Sequence, residues 1–320
     1  YKSTRSAWLK SVKTNPKQLF CFGLGFSGQA LAKVALDHGW RVGGTVRSAQ
    51  KASALRSQGI EAHVLDASAD PVLSDEILDA LGQSTHILQS VGTAKAGHDP
   101  VLPLLHPLAK GLTPTWAGYL STTVVYGDWQ GAMVDETSTT RSTSARGLSR
   151  LAAEAAWAGL GWPMHIFRLA GIYGPGRNAL ETVRSGRARI IDKPEQVFSR
   201  IHVQDIASAV FASMNHPTAR AVQEEVFNVC DDYSCAPGDV IAHACGLLGQ
   251  PVPKPVSMDE AGLSAMGRSF YADNNRVSNQ KLKDALGWQP TFPTYREGLA
   301  AILSSPGFSG SSSPDASEAA

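Results

Sequence analysis

Six residues near the start of the chain have chemical meaning because three of them lack side chains. Gly23-Leu24-Gly25-Phe26-Ser27-Gly28 reads G-x-G-x-x-G. In this spacing Gly23 permits a tight turn, Gly25 lets backbone approach a diphosphate, and Gly28 lets a helix pack closely on its strand. The free N–H groups at the start of that helix, at Phe26 and Ser27, would then face the anion. About twenty residues on, an acid would bond the 2′-hydroxyl of an NAD(H) ribose. The sequence instead reads Gly44-Thr45-Val46-Arg47-Ser48, with Lys51 nearby. Arg47 and Ser48 suit a 2′-phosphate through charge-assisted hydrogen bonds, so NADP(H) is favoured and NAD(H) remains open. Asp66, after a third short apolar run, is a candidate adenine-side contact, although an Asp there also suits a turn.

Such a turn works only between a strand and a helix, and the flanking pattern predicts both. Residues 19–22 form a continuous apolar run, as expected for a strand covered on both faces. Residues 29–37 carry a helical apolar face that Gly39 ends. The alternation continues with a strand at 41–45, a helix at 48–58, a strand at 62–65, a helix at 75–81 and a strand at 86–89. A helix at 100–110, a strand reaching Leu120, a polar loop at 137–143, a long helix at 144–159 and a strand at 165–169 follow. This is the rhythm of crossover units on a parallel sheet. The expected fold is α/β, a Rossmann-type doubly wound parallel sheet with a smaller C-terminal substrate lobe. The expected divisions are a basic arm at 1–17, the dinucleotide domain at 18–170, the second lobe with segments returning to the first at 171–305, and a low-complexity tail at 306–320.

Composition narrows the partners. Of 320 residues, 43% are hydrophobic, and 29 basic against 28 acidic side chains leave a net charge of +1. That balance gives no general pull toward nucleic acid. No apolar run approaches the eighteen or so residues of a transmembrane segment, so a soluble chain is expected. Cys21, Cys230, Cys235 and Cys245 show no C-x-x-C pairing and suggest neither zinc nor disulfides, which fits a reducing compartment. The arm at 1–17, basic and without acids, suits either the remnant of an organellar transit peptide or a solvated segment. The Ser- and Ala-rich end should be disordered on its own.

Four further motifs, in order, carry a resemblance. They are Ser121-Thr122-Thr123-Val124-Val125-Tyr126-Gly127, Arg168-Leu169-Ala170-Gly171-Ile172-Tyr173-Gly174-Pro175-Gly176, Arg200-Ile201-His202-Val203-Gln204-Asp205, and Asn275-Arg276-Val277 ahead of Leu286-Gly287-Trp288. With the glycine turn, they resemble the extended short-chain dehydrogenase/reductase superfamily, which includes nucleotide-sugar epimerases and dehydratases. The compact glycine motif, His98-Asp99-Pro100 and the segment from Pro293 to Leu299 look more like its atypical epimerase-like branch. The resemblance implies a catalytic Ser or Thr, matched by Thr122, and a Tyr-x-x-x-Lys pair. Where that pair should stand the sequence reads Arg146-Gly147-Leu148-Ser149-Arg150.

Arg150 can supply the lysine's charge to a nicotinamide ribose. Arg146 cannot move a proton near neutrality. Tyr126 and His98 are the candidate substitutes, with a packed tyrosine and a solvent-facing loop histidine as the alternatives, and Asp128 suits a turn equally well. The resemblance further implies Arg168, Tyr173, Arg200 and Arg276 as contacts for a phosphorylated or sugar-nucleotide substrate, although arginines at such junctions also pair with carboxylates. His202 and Asp205 are expected to tie the lobes and cap a helix. Two functions fit: an NADP(H)-dependent oxidoreductase or epimerase with a non-standard proton relay, or an inactive NADP(H)-holding subunit of a protein assembly.

Overall fold

The first strand, β1 (Gln18–Phe22), is buried along its whole length and sends alternate side chains to opposite faces. Leu19 and Cys21 enter one apolar cluster, while Phe20 and Phe22 enter another. A computed structural model describes residues 17–66, 71–94, 97–217 and 223–309. The basic arm except Lys17, and the tail beyond residue 309, lie outside the described residues.

Seven strands build the central sheet: β1, β2 (Arg41–Val46), β3 (Glu61–Val64), β4 (His86–Gln89), β5 (Trp116–Thr122), β6 (Met164–Leu169) and β7 (Glu224–Val229). Their order is β7-β6-β5-β4-β1-β2-β3, and every pairing is parallel. The chain therefore runs outward from β1 to β3, then crosses back to β4 on the other side of β1. That reversal leaves a crevice above the C-terminal ends of β1 and β4, where such sheets receive ligands.

Helices cover both faces. On one lie α1 (Phe26–Asp37) and the helix we call α5 (Val203–Asn215), which pack together over Leu19, Val42, Leu88 and Trp116. On the other lie α3 (Asp75–Gln83) and α4 (Ala145–Ala158), over Phe20, Ile87, Tyr119 and Ile166. The short α2 (Ala49–Arg56) joins β2 to β3 and is capped by the Ser48 hydroxyl. A third cluster, including Tyr173, Leu180, Val240, Tyr295 and Leu299, gathers the segments beyond β6 that do not return to the sheet.

The helix expected over residues 100–110 is cut short. Helical turns occupy only Leu102–Leu105 and then Ala109–Gly111. Pro107 lacks an N–H and crowds the carbonyl four residues back, which stops propagation. Asp99 organises this stretch: its buried carboxylate accepts the N–H groups of Val101 and Leu102, the Gln89 amide and the Trp157 indole. Among the described residues no helix is long and apolar enough to cross a membrane, and no cluster of His, Cys, Asp and Glu could hold a metal ion. All four cysteines are free and buried.

Candidate active site

The glycine turn sits directly on the crevice, and each glycine is held there for a different reason. Gly23 has φ +87°, and a Cβ on it would lie 2.8 Å from Val91 Cγ2. A Cβ at Gly28 would meet the Gly23 carbonyl at 2.6 Å. These two are required by the protein's own packing. Gly25 is not: it is exposed, its φ is −83°, and a Cβ there meets nothing within 4 Å.

Helix α1 begins at this open position with no side-chain cap, whereas Ser48, Ser144 and Thr294 cap the helices they precede. An uncapped first turn leaves backbone N–H groups without partners. This turn lines a cleft of about 920 Å³ that runs from Gly25, Phe26 and Ser27 past Ser90 to Thr122, Arg146 and Arg150. The residues present therefore fit a dinucleotide's diphosphate, on the grounds of the room at Gly25 and a first helical turn with no side-chain cap.

Arg150 reaches the cleft from α4. Its Nη1 donates to the Tyr119 hydroxyl at 3.1 Å and the Leu120 carbonyl at 3.0 Å, which pins it to the end of β5. Its Nε is buried with no protein partner. Thr122 ends β5 at the cleft wall, where its hydroxyl accepts the Val124 N–H. Arg146 stands one turn before Arg150 and lies against the Phe270 ring, 5.5 Å from its centroid. Desolvation, then repulsion from Arg150 and Arg177, lowers the proton affinity of its guanidinium.

Several expected site residues are elsewhere. Tyr126 is fully buried, its hydroxyl donating to Asn228 Oδ1 at 2.7 Å and accepting from Arg168 Nη1 at 3.1 Å. Burial also pushes its phenol up, so it stands in the core as a neutral tyrosine and does not reach the cleft. Arg168 faces inward too, ion-paired with Glu154 at 2.8 Å beneath the cleft floor. Arg276 is exposed on a small strand, bonds the Gly131 carbonyl, and is absent from the cleft wall. His98 is exposed on its loop, and Asp128 serves a turn by accepting the Gln130 and Asn274 N–H groups. Arg47, Ser48 and Asp66 follow β2 and β3, outside the cleft wall.

Tyr173 and Arg200 do line the cleft. Behind them His202 caps α5 through Nδ1, and burial takes its imidazole down to about 4. Asp205 accepts the Thr291 and Phe292 N–H groups at 2.7 and 3.0 Å, tying the C-terminal segment to α5. The sequence reading passed over Arg177, one residue past a motif that it followed only to Gly176. It also passed over the short helix Ala265–Ser269 and Phe270 to Asp273, which form the facing wall. Asp273 is the one acid among the described residues lining the cleft.

Next to Arg200, Asp231 is buried, one oxygen accepting the Tyr233 N–H and the other without a partner. Burial pushes this carboxyl up to about 7, against the pull of Arg200. A raised folded pKa means that the folded state holds a proton the unfolded state has lost, so this contribution is full below about 4 and disappears as pH rises through about 7. Asp231→Asn should therefore gain on the parent by about 1 to 3 kcal/mol between pH 5 and pH 8 in urea denaturation. An identical gap at both pH values would show an ordinary, solvated carboxylate.

Comparison with known proteins agrees with this architecture. The sequence pattern of the NAD dependent epimerase/dehydratase family matches residues 23–230. Protein YeeZ of Escherichia coli K12 is 24% identical over 284 residues, spanning 87% of this chain and 97% of YeeZ. A conserved protein of unknown function from Silicibacter pomeroyi superposes with a TM-score of 0.80 at 42% identity, covering 90% of this chain and 98% of its own. A Bacillus cereus UDP-glucuronic acid 4-epimerase solved with NAD shares the fold, with a TM-score of 0.71 at 16% identity over 89% of this chain and 96% of its own.

Proposed function

Because the chain belongs to the NAD-dependent epimerase/dehydratase family, we propose that it is an NADP(H)-dependent oxidoreductase or epimerase whose proton relay does without a Tyr-x-x-x-Lys pair. The observation that carries this reading is the uncapped start of α1 at Gly25, opening on the same cleft as Thr122 and Arg150. When bound, the dinucleotide supplies or accepts a hydride at its nicotinamide.

The chain's own residues divide the remaining work. Backbone N–H groups of Gly25, Phe26 and Ser27 hold the diphosphate. Arg150, pinned to the end of β5 at the cleft, supplies the positive charge for the nicotinamide ribose. Thr122 polarises a reacting oxygen with its hydroxyl proton, which stays available because the hydroxyl accepts, and does not donate, in its bond with the Val124 N–H. Tyr173 and Arg200 stand on the substrate side. Tyr126, Arg168 and Arg276 are left out, because their polar groups are engaged away from the cleft.

Arg47 and Ser48, with Asp66 on the adenine side, favour NADP(H) over NAD(H) from the ends of β2 and β3. Arg47 is exposed there, and Ser48 keeps a hydroxyl proton to donate while it accepts the Lys51 N–H. Arg47→Asp should weaken NADPH by at least tenfold, about 1.4 kcal/mol, and narrow its margin over NADH. Fluorescence titration with both nucleotides checks this, and an unchanged NADPH affinity would remove Arg47 from the site. Turnover is tested by mixing the NADPH-loaded protein with a panel of ketones and sugar nucleotides. Hydride transfer lost in Thr122→Ala supports the reading, and full nucleotide occupancy with no transfer to any panel member counts against catalysis.

A further inference from the structure

Arg184 and Arg268 have acids beside them, Glu181 and Asp259. Two arginines of the cleft do not. Arg146, Arg150 and Arg177 line the same cleft, where the charges of Arg150 and then Arg177 act against that of Arg146, and neither Arg146 nor Arg177 has an ion-pair partner among the described residues. Holding like charges together without a counterion is unfavourable, and an arriving anion relieves it.

The wall beside them is of the opposite character. Phe26, Met266 and Phe270 are 36%, 58% and 45% exposed, and all three line the cleft. Large apolar side chains gathered in one concavity mark a surface that something covers. A hexose could rest only its narrow C–H face on Met266 and Phe270, which offer its hydroxyls no hydrogen bond. A flat apolar body would bury that surface instead.

Resting on the reading of this cleft as a substrate compartment beside the nicotinamide, we propose that it takes an amphipathic anion. Its flat apolar body lies on Phe270 and Met266, and its single carboxylate or phosphate sits between Arg146 and Arg177. This differs from a sugar nucleotide, whose bulk is polar. Arg146 then binds the anion where a tyrosine would have moved a proton, consistent with a guanidinium's inability to do so.

Calorimetry of the NADPH-loaded full chain with 2-naphthoate, 2-naphthyl phosphate, 2-naphthol and UDP-glucose tests the proposal. At least one naphthyl anion should bind tenfold or more tighter than both naphthol and UDP-glucose, and comparison of the two anions assigns the head group. Arg177→Gln, an exposed position, should cost that anion at least tenfold while leaving naphthol within twofold and the melting temperature unchanged. Phe270→Ala should weaken anion and naphthol alike. The proposal is overturned if naphthol matches the anions, if UDP-glucose is the tightest ligand, if Arg177→Gln has no effect, or if no naphthyl compound binds. Failure of NADPH itself to bind would instead remove the nicotinamide reading, and the same series on the nucleotide-free chain would still decide the clamp.

Discussion

Glu154→Gln is expected to destabilise the fold by about 3 to 5 kcal/mol, the usual cost of stranding one member of a buried ion pair. Glu154 and Arg168 are each under a tenth exposed, and their side chains meet twice: Nη2 to Oε2 at 2.8 Å and Nε to Oε1 at 3.2 Å. Ser121 donates to the same carboxylate, while Arg168 Nη1 continues to Tyr126 and from there to Asn228. One carboxylate on α4 thus holds polar groups from β5, β6 and β7 in register beneath the cleft. Glutamine preserves the volume, so the loss would report charge and hydrogen bonding and not a cavity. Guanidinium chloride denaturation measures it. A change below about 1 kcal/mol would mean that water reaches the pair. The double variant Glu154→Leu with Arg168→Met should recover most of the loss, because two apolar groups leave no unpaired charge.

That network also shows where reading the sequence reaches its limit. The glycine turn, β1 and the parallel rhythm were legible because each depends on short-range pattern: an apolar run, three glycines at fixed spacing, an Ala-rich helical stretch. Arg168 and Tyr126 each kept two readings, a ligand contact and a packed or paired side chain, because their meaning depends on a partner elsewhere in the chain. An arginine in an apolar strand looks the same whether it points at a substrate or at a glutamate fourteen residues earlier. Only the packing of α4 on β5 and β6 distinguishes the two. Pro107 carried a clear stop signal, yet the surrounding leucines mimicked a continuous helical face. Arg177 and Phe270 were harder still. Their motifs are short and lie in turns, and what gathers them at one cleft is the return of the chain after β7.

Gly25→Val should leave the protein folded and weaken NADPH by at least a hundredfold, about 2.7 kcal/mol. The three glycines of the turn separate two explanations that the sequence alone leaves together. If glycine were there purely for the fold, every position in the motif should resist a side chain on account of neighbouring protein atoms. Gly23 and Gly28 do, with Val91 and the Gly23 carbonyl within 2.8 and 2.6 Å of an added Cβ. Gly25 has room on every side and a backbone conformation that any residue adopts. Its lack of a side chain leaves room for a ligand, and the N–H groups that follow without a side-chain cap suit an anion, which is the basis of the proposed diphosphate site. A branched side chain would stand in the diphosphate's path without disturbing the core, so melting temperature and nucleotide affinity should part company. Paired thermal unfolding and NADPH titration read both. Undiminished NADPH binding by Gly25→Val would place the diphosphate elsewhere, and a collapse of the fold would return the turn to a purely structural role.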